Sequence, residues 1–121
     1  MRIKIPHQLA TLNDHDSANR TNKFLGAKLK QEQTHLVSLY ARKHPKVDNP
    51  VFVEFEWHYS GKFDLDNIAF AKKYVLDGFV KAGVMKDDNQ KCVIGFNDQF
   101  QKVAKGQEAV YVTLLEYEAS D

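Results

Sequence analysis

The sequence is poor in cysteine and has no long hydrophobic run. Cys92 is the single cysteine of the chain, which excludes an internal disulfide and a cysteine-based zinc site and favours a reducing compartment. No apolar run approaches the roughly 18 residues needed to cross a bilayer, and none of signal-peptide length lies near the N-terminus. These absences predict a cytoplasmic protein without a membrane partner.

Several common catalytic motifs are also missing. The sequence contains no glycine-rich phosphate loop, no G-x-S-x-G turn, no H-E-x-x-H and no paired C-x-x-C. Their absence argues against the usual nucleotide-binding, hydrolase and zinc sites. The formal net charge is only +1, so the overall charge balance does not indicate a nucleic-acid-binding protein.

Length and periodicity predict one α+β domain over residues 1–121. The chain is 43% hydrophobic and long enough for one core of its own. Alternating residues predict strands at 1–5, 51–59, 92–96 and 109–117, and helical spacing predicts two main helices at about 19–42 and 67–81. Residues 13–22 are polar and turn-forming, so we expect a surface loop there. The expected fold is a small mixed sheet of about four strands packed with two main helices.

The first predicted helix combines an apolar stripe with a basic face. The stripe consists of six residues at helical spacing, namely Phe24, Leu25, Leu29, Leu36, Leu39 and Tyr40. Between residues 20 and 46 the net charge is +6, whereas residues 107–121 contain four acidic residues, the last of them Asp121, and no lysine or arginine. Considered alone, the basic face is explained most simply as a solvated helix surface.

The strand predicted at 51–59 places Glu54, Glu56 and His58 in a row on one side. Two carboxylates and an imidazole in such a row are able to bind a metal ion. A half-solvated strand, however, has polar residues of this kind facing water. We therefore predict no separate metal site on this strand, although either glutamate would assist a neighbouring acidic cluster if that side of the sheet adjoined it.

Asp64 and Asp66 stand just before the second predicted helix, in the motif D-L-D-N. In an extended segment their side chains leave on the same side, as metal ligands do. A reversal after Gly83 would bring Asp88 to them, and three adjacent carboxylates repel one another unless cations lie between them. Helix capping is the alternative, because Asp and Asn accept hydrogen bonds from free N–H groups at a helix start. Capping explains one aspartate but not three.

These segments, in this order, resemble the RusA-like Holliday-junction resolvases, also called crossover junction endodeoxyribonucleases. The similar segments are D-L-D-N at 64–67, V-L-D-G-F at 75–79 and G-V-M-K-D-D-N-Q at 83–90, and residues 12–37 are similar to phage-associated members. The resemblance implies a homodimeric α+β nuclease that depends on Mg²⁺, with Mn²⁺ as a substitute, and cuts branched DNA such as four-way junctions. It also implies metal-binding catalytic carboxylates at Asp64, Asp66 and Asp88, with Asn67 adjoining them.

The resemblance further implies an active-site lysine, whose position differs here. In the type member the lysine follows the second aspartate by four residues, but that position is Phe70 in this chain and the lysines are Lys72 and Lys73. At about 100° per residue, Lys73 returns to within about 20° of the face of Asp66, whereas Lys72 lies about 120° away. We therefore predict Lys73 as the site lysine, held by Asp77 in an i,i+4 ion pair.

Two classes of function follow from these features. The first is a structure-specific endonuclease whose basic helix holds the DNA backbone, and the second is a non-catalytic DNA-binding module whose aspartates cap a helix. The predicted DNA contacts are Arg20, Lys23, Lys28, Lys30, Arg42 and Lys43. A twofold-symmetric homodimer would supply both incisions at a junction. Its interface is predicted either at the N-terminal strand or on the aromatic side of the strand at 51–59.

Overall fold

Residues 1–118 are described by a computed structural model and form four strands and four helices. The strands are β1 (Arg2–Ile5), β2 (Val51–Tyr59), β3 (Val93–Lys102) and β4 (Ala109–Glu116). The helices are α1 (Leu12–Thr21), α2 (Lys23–Ala41), α3 (Leu65–Ala69) and α4 (Lys72–Lys81). The predicted α+β class is confirmed. Asp121, part of the acidic C-terminal segment, lies outside the described residues.

The four strands form one mixed sheet in the order β1-β4-β2-β3. β4 is antiparallel to both β1 and β2, whereas β2 and β3 are parallel. Parallel neighbours need a long crossover connection, and the segment that carries α3 and α4 provides it. The prediction of a small mixed sheet of about four strands is therefore confirmed, with β2 in its interior.

The core lies on one face of this sheet. Val51, Val53, Phe55 and Trp57 alternate along β2 and are at most 2% exposed, in one apolar cluster with residues of α2 and α4. Alternation with period two places all four on the same face, which explains why the predicted bounds of this strand are confirmed. It also excludes the aromatic side of β2 as a dimer surface, because the protein's own helices cover it.

The surface loop predicted at residues 13–22 is wrong, because the structure has α1 there. A reciprocal capping box begins the helix: the Asp14 N–H donates to Thr11 Oγ1 at 3.3 Å, and the Thr11 N–H donates to Asp14 Oδ2 at 2.9 Å. No residue of α1 is buried. The only apolar residues of α1 are Leu12 and Ala18, which are too few to make an apolar stripe, so the capping box was the clearer signal for this helix.

The bounds predicted for α2 agree with the structure within a few residues, but its predicted apolar stripe is wrong in part. Phe24 is 72% exposed, and Leu25 and Leu39 are exposed as well. The buried residues of α2 are instead Gly26, Val37, Ser38 and Ala41. Small side chains let α2 approach α4 closely, and this contact selects the buried face. No helix within residues 1–118, α2 included, has the combination of length and apolarity that crossing a membrane requires.

The single helix predicted at 67–81 is divided into α3 and α4 by a tight turn. The Ala71 N–H donates to the Ile68 carbonyl at 3.2 Å, and the Lys73 N–H donates to the Phe70 carbonyl at 3.3 Å. Both bonds span three residues, as in a 3₁₀ turn, so the phase of one continuous α-helix is not kept across residues 70–71.

The third strand is longer than predicted. β3 continues through polar residues to Lys102, beyond the predicted end at Phe96. It lies at the edge of the sheet, where many of its polar side chains are exposed to water. Polar composition therefore does not exclude an edge strand, although it suggested a loop.

Candidate active site

Asp64 and Asp66 lie at the start of α3 and differ in their contacts. Asp64 occupies the N-cap position with an extended backbone, but its side chain makes no capping hydrogen bond. The Asp66 carboxylate accepts a hydrogen bond from the N–H of its neighbour Asn67 at 3.1 Å. The capping alternative therefore does not account for Asp64, although that residue stands where a cap is expected.

Asp64 lines an open cleft of about 310 Å³. The other lining residues come from the loop before α3 and from α1, namely Asn13, Lys62, Phe63 and Asn67. α1 thus forms part of the wall beside the first aspartate, a role that the loop prediction did not anticipate. The cleft is open to solvent, and its lining includes a carboxylate, two side-chain amides and one lysine.

Asp88 lies beside Lys73 and Asp77. Lys73 Nζ donates to Asp88 Oδ2 at 3.0 Å and lies 3.3 Å from Asp77 Oδ1. The hydrogen bond from Lys73 lowers the pKa of Asp88, and the same bond raises the pKa of Lys73. The predicted ion pair between Lys73 and Asp77 is therefore confirmed, and the lysine bridges α4 to the segment that precedes β3.

The structure does not bring the three predicted carboxylates together. Within residues 1–118, no group of three or more His, Cys, Asp or Glu side chains lies close enough to hold a metal ion. Asp88 contacts the Lys73 ammonium group instead of Asp64 or Asp66, and this ammonium group neutralises the negative charge of the Asp88 carboxylate. The donor chemistry nevertheless fits Mg²⁺, which prefers oxygen ligands. The Lys73 side chain is 54% exposed, so it has room to swing away from Asp88.

Lys72 has different partners from Lys73. Lys72 Nζ donates to Asp98 Oδ2 at 2.7 Å and lies 3.8 Å from the centre of the Phe96 ring. Trp57 Nε1 donates to the other oxygen of Asp98 at 2.8 Å. The two consecutive lysines therefore separate, one towards β3 and the other towards Asp88. The helical-phase calculation assumed an unbroken helix, which is wrong, yet the lysine that it selected is the one beside a predicted carboxylate.

Asp98 is the residue of this region that sequence reasoning missed. It falls between the strands predicted at 92–96 and 109–117, whereas in the structure it lies within β3, opposite Phe55 of β2. The available signal was the alternation of Phe96, Asp98 and Phe100, which is typical of one face of a strand. A charged residue between two aromatic residues on one face requires a partner, and Lys72 is that partner.

The basic residues of α2 do not share one face. Lys28 lies 3.9 Å from Glu32 and lines the groove between α1 and α2, whereas Lys30 lies 3.9 Å from Asp77 of α4. The two lysines are about 160° apart around the helix axis. Arg20 and Lys23 lie at the junction of α1 and α2, and Arg42 and Lys43 follow the end of α2. The net charge of a sequence window does not show that these basic residues lie on different sides of α2, because the sum takes no account of the direction in which each side chain leaves the helix.

Glu56 and His58 lie on the opposite side of the sheet from the core. His58 Nε2 is 2.8 Å from Glu56 Oε1, and Arg2 donates to the other oxygen of Glu56 at 3.3 Å. Glu54 shares this face because it alternates with the buried residues of β2. These groups therefore do not adjoin the lysines and aspartates around α4.

No protein-family model matches this chain, and no curated protein is significantly similar to it. The relation to the RusA-like resolvases is therefore a proposal. It is based on the segments at 64–67, 75–79 and 83–90 and on the contacts that these segments make.

Proposed function

We propose that this protein is a cytoplasmic RusA-like endodeoxyribonuclease, dependent on Mg²⁺, that cuts Holliday junctions and other branched DNA in recombination and repair. The observation that carries the proposal is the 3.0 Å hydrogen bond from Lys73 to Asp88. The resemblance assigns a lysine and a carboxylate to these two segments of a single site. Contact between these two side chains is therefore more specific support for the proposal than either motif alone.

In this proposal Asp64, Asp66 and Asp88 would hold Mg²⁺, or Mn²⁺ in its place, once the three carboxylates, which lie apart in this structure, are brought together. A bound divalent cation would polarise the phosphodiester and lower the pKa of a water molecule. Lys73 would transfer its hydrogen bond from Asp88 to a phosphoryl oxygen of the DNA, which would leave the Asp88 carboxylate available as a ligand. Asp77, 3.3 Å from Lys73, keeps the ammonium group near the site during this exchange.

The DNA backbone is held by basic residues on the α4 side of α2 and at the two helix ends. Lys30 is the closest of these to the site, because it contacts Asp77, which also contacts Lys73. Salt-dependent phosphate contacts of this kind position the duplex without reading its sequence. A homodimer would place two such sites on one four-way junction. Among the two predicted interfaces, only the edge strand β1 is still available.

A non-catalytic DNA-binding module is the second candidate. It is favoured by one observation, which is that Asp66 and Asp88 have hydrogen-bond partners within the protein. In that function the aspartates hold α3 and α4 in place, and a divalent cation has no role in binding.

Cleavage of a labelled four-way junction in Mg²⁺, measured beside linear duplex of the same sequence, distinguishes the candidates. We expect the wild-type protein to cut the junction in preference to the duplex. Asp66→Asn is expected to bind the junction but not cut it, because Asn keeps the size and a hydrogen-bond acceptor while losing the charge. Asp48→Asn is the matched control, since the Asp48 side chain is 85% exposed and its one ion pair among residues 1–118 is with Lys46, at 3.9 Å.

Two results would contradict parts of this proposal. Tight junction binding without cleavage by the wild-type protein, in Mg²⁺ and in Mn²⁺, would support the DNA-binding module. Cleavage by Asp66→Asn at the rate of Asp48→Asn would remove Asp66 from the set of ligands while leaving the nuclease assignment in place.

A further inference from the structure

The ion pair between Lys72 and Asp98 is shorter and less exposed than the other lysine ion pairs within residues 1–118. The side chains of Lys72 and Asp98 are only 16% and 20% exposed, and their charged atoms are 2.7 Å apart. The ammonium group also lies over the Phe96 ring at 3.8 Å and 5.3 Å from the centre of the Phe55 ring. Charge-assisted hydrogen bonds and cation–π contacts are strongest where water is largely excluded.

Asp98 is itself fixed to the centre of the sheet. Its second oxygen accepts the 2.8 Å hydrogen bond from Trp57, a buried residue of β2 whose ring stacks on Phe55 with centres 5.3 Å apart. The carboxylate therefore has little freedom to follow a moving lysine. The ion pair therefore forms only where α4 is positioned with Lys72 next to Asp98.

The N-terminus of α4 has no cap of its own. Ala71 occupies the N-cap position without a side-chain hydrogen bond, and no acidic residue lies in the first turn. The tight turn at residues 70–71 also separates α4 from α3. The first turn of a helix frays readily when it has no cap and does not continue a preceding helix. The order of such a turn therefore depends on tertiary contacts. Lys72, the first residue of α4, supplies such a contact.

We propose that Trp57, Asp98 and Lys72 form a positioning device, which anchors the first turn of α4 to the sheet so that Lys73 faces Asp88. Lys72 is then not a DNA contact, although its neighbour is. Its ammonium group is occupied by Asp98, and only the next residue, about 100° further round the helix, is directed towards the carboxylates. The catalytic part of this inference rests on the proposed nuclease function, whereas the anchoring of Lys73 does not.

The first test measures cleavage of a four-way junction by variants of the anchor. Asp98→Asn keeps the acceptor for Trp57 but loses the ion pair, and Lys72→Met keeps the aliphatic stem. For both we expect kcat to fall by about 10- to 100-fold with little change in KM, because a misplaced catalytic group slows the chemical step. Lys72→Arg, which keeps the charge, is expected to recover most of the rate. A rise in KM at unchanged kcat would instead make Lys72 a DNA contact and overturn the inference.

A double variant tests whether Lys72 acts through Lys73. If it does, Lys72→Met adds little to the loss already caused by Lys73→Ala, since residues that act as a unit have non-additive effects. If Lys72 stabilises the site in some other way, the two losses multiply. A multiplied loss would contradict the proposed device.

The second test does not depend on cleavage. The rate at which acetic anhydride modifies Lys73 is measured by tandem mass spectrometry on metal-free protein, with Lys28 as an internal control of similar exposure. In Asp98→Asn and in Lys72→Met we expect Lys73 to react several-fold faster, because it leaves Asp88, and Lys28 to react at its wild-type rate. Circular dichroism verifies that each variant is folded. If either variant does not fold, the other one decides the result.

An unchanged rate at Lys73 in a folded anchor variant would overturn the inference, whatever the cleavage assay shows. Absence of cleavage by the wild-type protein, together with faster modification of Lys73 in the anchor variants, would contradict the proposed nuclease function and leave the anchoring intact.

Discussion

Substitution of Gly78 by alanine is expected to separate α2 from α4. A Cβ atom on Gly78 would lie 2.5 Å from Val37 Cγ1, 2.6 Å from Val37 Cβ and 3.0 Å from the carbonyl oxygen of Thr34. Val37 is fully buried and β-branched, so its side chain has little freedom to turn away. The carbonyl belongs to the helix backbone. The methyl group is therefore accommodated only if the two helices move apart.

The magnitude of the effect follows from two opposing terms. In an unhindered helix interior, replacing glycine with alanine stabilises by about 1 kcal/mol. Overpacking a tight core costs about 1–3 kcal/mol, and contacts that involve a β-branched residue and the backbone belong at the upper end. We therefore expect Gly78→Ala to lower the free energy of unfolding by about 2 kcal/mol, which corresponds to a fall in Tm of roughly 5–10 °C for a domain of this size.

Thermal and urea unfolding followed by circular dichroism measure this change. Gly26→Ala is the matched control, because the nearest atom to its added Cβ is Oδ1 of Asn19 at 2.7 Å, which lies at the end of a side chain, and the Cβ and Cα atoms of Asn19, at 3.1 Å and 3.2 Å, need to shift by only a few tenths of an ångström. We expect the control to change stability by less than about 1 kcal/mol. A Gly78→Ala protein that is as stable as the wild type, or more stable, would refute the reasoning about the contact between α2 and α4.

Four further predictions follow from the site and the core. Lys73→Ala should reduce junction cleavage more than Lys72→Ala, because Lys72 acts only through Lys73, and a larger loss from Lys72→Ala would contradict the choice of Lys73. Burial raises the pKa of Tyr74 to about 12, above its unfolded value of about 10, so the unfolded state loses this proton first and stability should fall between those pH values. The Tyr74 hydroxyl has no hydrogen-bond partner within the described chain. Tyr74→Phe should therefore remove the loss of stability between pH 10 and 12 at little cost in stability near neutral pH, and an unchanged alkaline unfolding transition would contradict this assignment. Lys30→Gln should reduce the slope of log affinity against log salt by about one unit, whereas Lys28→Gln, on the opposite side of α2, should leave it nearly unchanged, and the reverse result would contradict the assigned DNA side. Sedimentation at micromolar protein should give twice the chain mass of 13.9 kDa, and a monomer that binds junctions one to one would contradict the dimer.

Local patterns in the sequence determined the type and approximate position of most elements. The alternation over 51–59 was sufficient to place β2 and to identify its buried face, because side chains alternate with a period of two in any strand. Gly83, with a positive φ of 80°, follows the end of α4, at the place where a reversal was expected. The same local argument identified Asp77 as the i,i+4 partner of Lys73.

Only the tertiary structure decided which surfaces of these elements meet. The buried face of α2 depends on the close approach of α4 at Gly78, and this approach involves residues about 40 positions apart in the chain. α1 buries none of its residues and has only two apolar side chains, so no apolar stripe indicated it.

The different contacts of Lys72 and Lys73 likewise depend on Asp98 of β3 and on the turn at residues 70–71. A lysine has the same sequence signal whether it is solvated, anchored or beside a carboxylate. The packing of distant strands and helices selects among these states, because it alone determines which opposite charge lies within hydrogen-bonding distance and how much water remains around the pair.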